Sequence, residues 1–593
     1  MKVKISDYIM DFIAGLGVRQ VFYMAGGGAM HLNDSLGRSK YLEGVCMLHE
    51  QGAAIAAEAY ARIQEGYGAC LVTSGPGATN ALTGLAGAYM DSIPVIFLSG
   101  QVKRADLVGE QGIRQFGIQE VNIISMAESY TKYAVQIREP EEIRYELEKA
   151  AAIAVNGRPG PVWIDVPLDI QAMQVETEEL QGFSGEGLGE YPAKEEEITR
   201  TIELLNQAER PVLLLGHGIR LGHAVEEARE FYHVLGIPVL TSWNGVDLIE
   251  EEHPLYFGRP GSVGHRAANL IQQSADFVLT IGSRLNLLST GYNYESFLAR
   301  ANHVMVDIDE KEMNKKSVHP QLKVVCDAKA FLKAMLARKS EIEKPDRSSW
   351  LQRCEQLFRK YPVRIPEQEA REGFVSSYRL IQEVSDQMTG EDIYQFTSSG
   401  TTVDIAMKVF EIKAGQRAFL TKGLAAMGYD IPACIGSCIA SGNRRTVCVT
   451  GDGSAAMNMQ ELEVIRRRQL PVKIFVADNQ GYSMIYGSQN GNFKGHLTGC
   501  TEESGLTLPD MRAVAEAFGI KGMHIENEEH LKEQVAEVLN EPGPVVCTYQ
   551  ADITQKILPR QTSYMREDGQ MASRPLEDMT PLLEREELEE ILG

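Results

Sequence analysis

The sequence predicts an α/β protein with three doubly wound domains, each built on a parallel sheet that helices cover on both faces. The first observation is length, because 593 residues exceed one domain at roughly 100–200 residues each. The second is a repeated alternation of short apolar, strand-like runs with helix-like segments, which is typical of parallel sheets. The third is a pair of charged or glycine-rich stretches that interrupt the alternation and indicate linkers.

The first block, 1–170, shows the alternation most clearly. Ser6 is predicted to cap a helix that ends near Gly15. The apolar run 21–24 predicts a buried strand, and a small-residue helix is predicted to follow Glu50. Further strands and helices alternate downstream, so we expect an N-terminal domain with a parallel sheet.

Composition divides the rest of the chain. The acidic and glycine-rich stretch 171–195 and the charged, proline-containing stretch 341–372 are predicted linkers. The first separates the N-terminal domain from a central Rossmann-like domain, 196–340, and the second separates that domain from a C-terminal domain, 373–555. The last residues, 556–593, are predicted to form a tail with a short terminal helix.

Charge and composition exclude several classes of function. The net charge of −23 argues against nucleic acid as a partner, since phosphate backbones need basic surfaces. The sequence has no apolar run of 18 residues and no signal-peptide core, which indicates no membrane association and a cytoplasmic protein. Nine scattered cysteines form no CxxC pair, and Cys434 and Cys438, at helical spacing, are interpreted as packing residues.

One pair of motifs predicts a metal and phosphate site in the third block. A buried strand runs into Gly451-Asp452-Gly453, and a second strand runs into Asp478-Asn479. Backbone N–H groups at such a turn favour phosphate oxygens. A carboxylate and an amide oxygen, completed by diphosphate oxygens, suit octahedral Mg²⁺. The carboxyl ends of strands are also where ligands bind in open α/β sheets.

A second motif predicts a poorly solvated acid. Glu50 opens a helix of small apolar residues, so we expect the carboxylate to be buried and to share a proton with a bound partner. A surface helix-capping glutamate is the alternative interpretation.

These motifs resemble those of the thiamine-diphosphate-dependent enzymes of the acetolactate synthase type. The resemblance extends to Thr73-Ser74-Gly75-Pro76-Gly77-Ala78-Thr79-Asn80 and to Gly423-Leu424-Ala425-Ala426-Met427-Gly428, and it covers nearly the whole chain through residue 555. It implies pyrimidine-binding, central Rossmann-like and diphosphate-binding domains in that order. Asp478 departs from the family, which has Asn at this position, but that Asn is not a metal ligand.

The resemblance also implies roles for individual residues. Glu50 would activate the cofactor, with Gln119 and Gly27 facing the reacting centre. The metal ligands would be Asp452, Asn479 and the Gly481 carbonyl. The residues implied to bind thiamine diphosphate are Gly26, Glu50, Ser74, Pro76, Asn80, Ala425, Met427, Gly451, Asp452, Gly453, Ser454, Asn479, Gly481 and Tyr482. His31 is interpreted as a core or surface histidine, with an active-site role as the alternative.

The family carries FAD in its central domain, and the corresponding residues here are Gly216, Gly218 and Arg284. Short glycine turns after strands are also ordinary α/β connections, so FAD stays open at this point. In the family, the arginine at position 284 is alternatively a contact for the carboxylate of the acceptor keto acid.

The implied reaction is a decarboxylating carboligation by a transferase or lyase. A hydroxyethyl carbanion derived from pyruvate, the expected 2-keto acid substrate, condenses with a carbonyl acceptor, and a second pyruvate as acceptor gives 2-acetolactate. The alternatives are two-carbon transfer onto a nucleotide keto-sugar, simple 2-keto acid decarboxylation, and a non-enzymatic scaffold, against which the intact Glu50, Asp452 and Asn479 argue. The family builds each active site from the first domain of one subunit and the third domain of another, which implies a homodimer or homotetramer.

Overall fold

The computed structural model describes residues 2–593. The first domain holds a six-stranded parallel sheet in the order β3-β2-β4-β5-β7-β6, with β1 and β8 paired outside it. The strands are β1 (Lys2–Lys4), β2 (Gln20–Tyr23), β3 (Glu43–Cys46), β4 (Gly68–Val72), β5 (Val95–Gln101), β6 (Tyr133–Gln136), β7 (Val162–Pro167) and β8 (Gln174–Glu176).

Eight helices cover this sheet. They are α1 (Ile5–Gly15), α2 (Met30–Arg38), α3 (Glu50–Gln64), α4 (Pro76–Asn80), α5 (Leu82–Met90), α6 (Ile123–Ala127), α7 (Ile143–Val155) and α8 (Leu168–Ala172). The prediction of Ser6 as a helix cap is wrong, because Lys4 occupies the cap position of α1 and makes no side-chain cap bond. Ser6 is instead buried inside the helix, where it meets the Ser35 hydroxyl at 2.8 Å.

The predicted first linker is partly structured. Strand β8 lies within 171–195 and pairs antiparallel with β1, so the start of the chain and the end of the first domain close on each other. This long-range pairing has no signal in local composition, which is why an acidic stretch was predicted to be a linker throughout.

The central domain has five parallel strands in the order β10-β9-β11-β12-β13. The strands are β9 (Pro211–Leu215), β10 (Val239–Thr241), β11 (Phe277–Ile281), β12 (Asn302–Asp307) and β13 (Leu322–Val325). The helices from here to the start of the third domain are α9 (Glu195–Asn206), α10 (Gly218–Leu221), α11 (Val225–Leu235), α12 (Arg266–Ser274), α13 (Leu287–Thr290), α14 (Glu310–Met313), α15 (Ala328–Ala337) and α16 (Ser348–Lys360).

Helix α16 corrects the second predicted linker, 341–372. Its buried residues Trp350, Cys354 and Leu357 share one core cluster with the central sheet, at a spacing that forms one helix face. The tail 556–593 also packs on the central domain, since Leu588 and Leu592 belong to the same cluster. A helix rich in charged residues was therefore predicted as linker, although its apolar face is part of a core.

The third domain repeats the architecture of the first. Its six parallel strands lie in the order β15-β14-β16-β17-β19-β18. They are β14 (Ile393–Gln395), β15 (Arg417–Phe419), β16 (Thr446–Gly451), β17 (Val472–Asp478), β18 (Lys521–Ile525) and β19 (Val545–Gln550), followed by a tail hairpin of β20 (Ser563–Met565) and β21 (Met571–Ser573). The helices of the third domain are α17 (Ser377–Gln387), α18 (Thr401–Val409), α19 (Asp430–Ala440), α20 (Asp452–Met457), α21 (Leu462–Arg468), α22 (Ser483–Asn492), α23 (Met511–Ala517) and α24 (Leu531–Asn540), and the tail ends in α25 (Arg585–Leu592).

The first and third domains share one continuous core. Helix α3 packs along α19, and a β-carbon added at Gly436 would lie 2.1 Å from the Ala56 carbonyl oxygen, so the two backbones touch. Cys434 and Cys438 are buried in this core as free thiols, in agreement with their interpretation as packing residues. The predicted fold class of three parallel-sheet α/β domains is confirmed. In residues 2–593, no helix has the length and apolar character needed to cross a membrane.

Candidate active site

Glu50 is a buried carboxylate at the start of a helix. It is the first residue of α3 and is 7% exposed. The Asn80 side chain donates to Glu50 Oε2 at 3.0 Å, and a β-carbon at Gly77 would lie 3.2 Å from Glu50 Oε1. One carboxylate oxygen is therefore fixed by an amide donor, while the other lies next to a residue with no side chain. A side chain at position 77 would crowd Glu50 Oε1.

The segment Gly26-Gly27-Gly28, which includes two predicted site residues, lies against the end of β4. The Gly28 N–H donates to Thr73 Oγ1 at 3.1 Å, and a β-carbon at Gly28 would lie 2.5 Å from Ser74 Oγ. At Gly26 it would lie 2.4 Å from Thr73 Cβ. A side chain at either position would collide with the Thr73 or Ser74 side chain, so glycine lets the two loops pack closely.

An open cavity of about 490 Å³, hereafter the catalytic cavity, lies beside these loops. Its wall includes Gly27 and Gln119, which are predicted to face the reacting centre, and Ser74, which is predicted to bind the cofactor. Gln119 has a φ of 63°, an uncommon conformation for a residue with a side chain. His31 lies on α2, outside the lining. The remaining lining residues are Gly28, Gln101, Val102, Lys103, Asp106, Phe116, Gly117, Ile118 and Leu168.

The neighbouring Glu120 holds the loop that carries Gln119. Its carboxylate accepts backbone N–H bonds from Val108 at 2.5 Å, Phe116 at 2.9 Å and Gly117 at 3.1 Å. Partial burial acts to raise the pKa of Glu120, but these three donors lower it below its usual value. Glu120 therefore stabilises the strained Gln119 conformation as an ionised acceptor.

The residues predicted to bind metal lie together at the ends of two paired strands. Asp452 follows β16 and Asn479 follows β17. Asp452 Oδ1 accepts from the Gly453 N–H at 2.7 Å and Oδ2 from the Asn479 N–H at 3.1 Å, while Asn479 Oδ1 accepts from the Gly481 N–H at 3.1 Å. Burial raises the pKa of Asp452 to about 7; the hydrogen bond from Gly453 lowers this pKa, and the charge of Asp478 raises it further. A bound cation would favour the ionised form of Asp452. The donor set fits Mg²⁺ because its members are oxygen atoms, which this ion prefers.

A glycine cradle lies next to this metal-ligand set. A β-carbon at Gly453 would lie 2.3 Å from the Tyr482 ring and 3.3 Å from Met427 Cε, so Tyr482 and Met427 both surround the bare Gly453 backbone. Ala425, two residues before Met427, has a φ of 57°, which turns the chain at this point. The absence of a side chain at Gly453 therefore lets the Tyr482 ring pack against this turn.

Ser454 connects the cradle to α19. Its hydroxyl donates to Asp430 Oδ2 at 2.5 Å and accepts from the Gly428 N–H at 3.0 Å. Ser454 therefore fixes the loop that carries Ala425 and Met427.

A buried carboxylate that sequence reasoning missed joins the first and third domains. Glu461, which is 0% exposed, accepts the Leu48 N–H at 3.1 Å on Oε2 and 3.2 Å on Oε1. A β-carbon at Gly52 would lie 2.5 Å from Glu461 Oε1. Burial raises the pKa of Glu461 to about 7, although the backbone bonds from Leu48 and His49 oppose the shift. Glu461 thus caps the turn that leads into Glu50, a contact that depends on domain packing and has no local sequence signal.

A second cavity, of about 310 Å³, lies between the first and central domains and is lined by Gly218 and Arg284. Gly216 lies directly beside it, since a β-carbon there would be 2.3 Å from the Gly282 carbonyl oxygen. Burial is the main reason that the pKa of the lining residue His217 is lowered to about 3, so its ring is neutral. Four lining atoms are buried without a partner among the described residues, namely His217 Nε2, Trp243 Nε1, Asn244 Oδ1 and Ser283 Oγ.

Family models match all three domains. The descriptions are "Thiamine pyrophosphate enzyme, N-terminal TPP binding domain" for 3–126, "Thiamine pyrophosphate enzyme, central domain" for 198–335 and "Thiamine pyrophosphate enzyme, C-terminal TPP binding domain" for 398–549. The chain belongs to the thiamine pyrophosphate enzyme family, as its motifs predicted.

Acetolactate synthases are among the proteins to which this chain is similar. The chain is 32% identical to the acetolactate synthase isozyme 2 large subunit of Escherichia coli (strain K12), over 93% of this chain and 96% of that protein. It is 31% identical to the acetolactate synthase large subunit of Cyanidium caldarium, over 91% of each. It is also 31% identical to the chloroplastic acetolactate synthase 1 of Zea mays, over 93% of this chain and 86% of that protein.

Proposed function

We propose that this protein is a thiamine-diphosphate-dependent carboligase of the acetolactate synthase type that uses pyruvate as the two-carbon donor. The observation that carries the proposal is Glu50, a buried carboxylate at the start of α3 that Asn80 orients. The similarity to acetolactate synthase large subunits along nearly the whole chain supports the reaction type.

The carboligation needs an acidic group that exchanges a proton and residues that orient the two reactants. When bound, thiamine diphosphate supplies the electron sink for decarboxylation. Glu50 would hold and exchange the proton at the aminopyrimidine ring, and Gln119 and Gly27 would orient the substrate from the cavity wall. The carboxyl group of pyruvate leaves as CO₂, the electron pair of the broken bond forms the new carbon–carbon bond, and the acceptor oxygen takes the proton. A second pyruvate as acceptor gives 2-acetolactate.

The third domain would hold the cofactor through its diphosphate. Asp452, Asn479 and the Gly481 carbonyl would supply oxygen ligands for Mg²⁺, and the ion would supply the positive charge that anchors the diphosphate. Gly453 and Ser454 lie at the start of α20, where backbone N–H groups favour anions. Met427 and Tyr482 lie against Gly453 and would contact the cofactor.

The cavity between the first and central domains would hold FAD. Its four unpartnered polar atoms could bond to a ligand with hydrogen-bonding groups, and a nucleotide supplies such groups on its base and ribose. Its volume of about 310 Å³ is at the lower end of ligand-site volumes. We expect purified protein to show flavin absorbance after incubation with FAD and gel filtration, and Trp243→Phe to weaken binding in fluorescence titration. Absence of bound flavin in the wild type would contradict this assignment.

We propose a homodimer as the minimum assembly, because apolar side chains remain exposed beside both half-sites. Ile118 and Phe116, on the catalytic cavity of the first domain, are 90% and 56% exposed. Met457 and Met484 are exposed near the cradle of the third domain. A monomer in light scattering at micromolar concentration would contradict this proposal.

The experiment that tests the function is product analysis by mass spectrometry, with pyruvate, thiamine diphosphate and Mg²⁺, and with or without nucleotide-linked keto-sugars. Acetolactate from pyruvate alone supports the synthase proposal. A product that forms only with a keto-sugar changes the acceptor to a sugar, acetaldehyde as the sole product indicates a decarboxylase, and no turnover of pyruvate contradicts the proposal.

A further inference from the structure

The catalytic cavity contains a cation that the proposed reaction has not yet used. Either class of acceptor carries negative charge, as the carboxylate of a 2-keto acid or as the diphosphate of a nucleotide-linked keto-sugar. An anionic acceptor needs a positive group close to the reacting centre, both to attract it and to fix its orientation.

Arg284, the cation that the family resemblance offers for this role, lies elsewhere in this chain. It lines the cavity between the first and central domains, donates to the Met90 carbonyl at 2.8 Å and pairs with Glu312 at 3.5 Å. Arg284 is therefore occupied by protein partners and lies outside the wall that holds Gly27 and Gln119.

Lys103 is the one cation among the described residues that line the catalytic cavity. Its side chain is exposed and has no hydrogen bond or ion pair within residues 2–593. The adjacent Arg104 differs, because Asp169 binds its Nε at 2.8 Å and Glu139 binds its Nη1 at 3.0 Å. Of two neighbouring cations, one stabilises the domain and the other remains available to a ligand.

The backbone that carries Lys103 is fixed by the sheet. Lys103 follows β5, whose last residue, Gln101, is 1% exposed and donates to the Val121 carbonyl at 2.9 Å and to Asp165 Oδ2 at 3.1 Å. Asp165 also accepts from Ser99 at 2.5 Å. The flexible ammonium therefore extends from a rigid point at the edge of the cavity, as a point-charge contact for an anion requires.

We propose that Lys103 binds the anionic group of the acceptor substrate and thereby selects charged acceptors over neutral ones. The inference rests on the proposed carboligase function and adds to it the residue that recognises the acceptor. Lys103 is a specificity residue: it contacts the group remote from the reacting carbonyl and leaves release of CO₂ from the donor unchanged.

The test is a competition between a charged and a neutral acceptor in one reaction. Wild type, Lys103→Gln and Lys103→Arg receive pyruvate with benzaldehyde, and the ratio of acetolactate to the neutral aromatic hydroxyketone is measured. Both products share the donor step, so the ratio reports on acceptor choice alone. We expect Lys103→Gln to lower this ratio at least about tenfold, equivalent to about 1.4 kcal/mol, and Lys103→Arg to restore most of it. Lys40→Gln, at an exposed position outside the cavity, is the matched control.

A second arm, with a nucleotide-linked keto-sugar in place of the second pyruvate, distinguishes a carboxylate from a diphosphate as the bound group. An unchanged ratio in Lys103→Gln, or an equal loss of both products, overturns the role of Lys103 while the carboligase function stands. If the wild type forms no carbon–carbon product with any acceptor, the proposed function fails and this inference fails with it.

Discussion

The first and third domains have the same strand order but carry different chemistry at their strand ends. In both sheets, numbering the strands in chain order gives the spatial order 2-1-3-4-6-5. The helix that follows the second strand is α3 in one domain and α19 in the other, and these two equivalent helices pack against each other. Each begins with a buried acid, Glu50 or Asp430.

The partners of these two acids differ. Glu50 is bound by a single side-chain donor, Asn80, beside a residue without a side chain. Asp430 accepts from two hydroxyls of its own domain, Ser454 and Thr450, and lies inside the fold. The same position in one architecture thus has one side-chain donor in the first domain and two hydroxyl donors in the third. The proposed ligand groups of the third domain lie instead at the two central strand ends, at Asp452 and Asn479.

The largest effect on activity should come from substitution of Glu50. Glu50→Gln keeps the size of the side chain and removes its proton exchange, so kcat should fall at least about 100-fold while circular dichroism and cofactor binding persist. Steady-state kinetics with pyruvate check this. Glu141→Gln, at an exposed position of the same domain, should keep wild-type kcat, and wild-type turnover in Glu50→Gln would remove Glu50 from the mechanism.

The next effect belongs to the third domain and should concern binding. Asp452→Ala removes the carboxylate ligand, so the Mg²⁺-dependent affinity for thiamine diphosphate should fall about 100-fold in titration calorimetry. The matched control is Asp478→Asn, at the neighbouring strand end outside the predicted ligand set, which should change affinity by less than about threefold. Equal losses in the two variants would contradict the assigned ligand set.

A smaller effect is expected from the contact between the two domains. Glu461→Ala frees the Leu48 N–H and loosens the turn before Glu50, so kcat should fall about tenfold with little change in the KM for pyruvate. Glu461→Gln keeps an acceptor oxygen and should recover most of the loss. Glu463→Gln, two residues further along, controls for local charge, and a wild-type kcat in Glu461→Ala would show that the cap does not position Glu50.

The same contact predicts a pH dependence of stability. Burial raises the pKa of Glu461 from 4.5 to about 7, so between these values the folded chain keeps a proton that the unfolded chain has lost. Stability therefore falls as pH rises through this window, by on the order of 3 kcal/mol, and the loss is complete above about pH 7. Urea unfolding at several pH values should show this slope in the wild type, and Glu461→Gln should remove its contribution. Equal slopes in both proteins would contradict the raised pKa.

Local patterns in the sequence predicted the elements that carry chemistry. The apolar runs before Gly451 and Asp478 are strands, and the small-residue segment after Glu50 is one helix, because burial and helix propensity act over neighbouring residues. The motif pair Asp452 and Asn479 lies at adjacent strand ends, as its spacing indicated.

Features that depend on long-range packing were missed. The pairing of β8 with β1 joins residues from opposite ends of the first domain. The cap from Glu461 to Leu48 depends on how α3 packs against the third domain. The spacing of Trp350 and Leu357 indicates the apolar face of α16, but the many charged residues around them led to the prediction of a linker.

The most direct test of the two-domain account mixes two inactive variants. Glu50→Gln and Asp452→Ala chains, carrying different tags, are co-expressed and assayed with pyruvate. If each active site combines the first domain of one subunit with the third domain of its partner, a mixed dimer regains one intact site, and random pairing restores about a quarter of wild-type activity. Activity no higher than that of either variant alone would contradict a site shared between subunits and would place both halves in one chain.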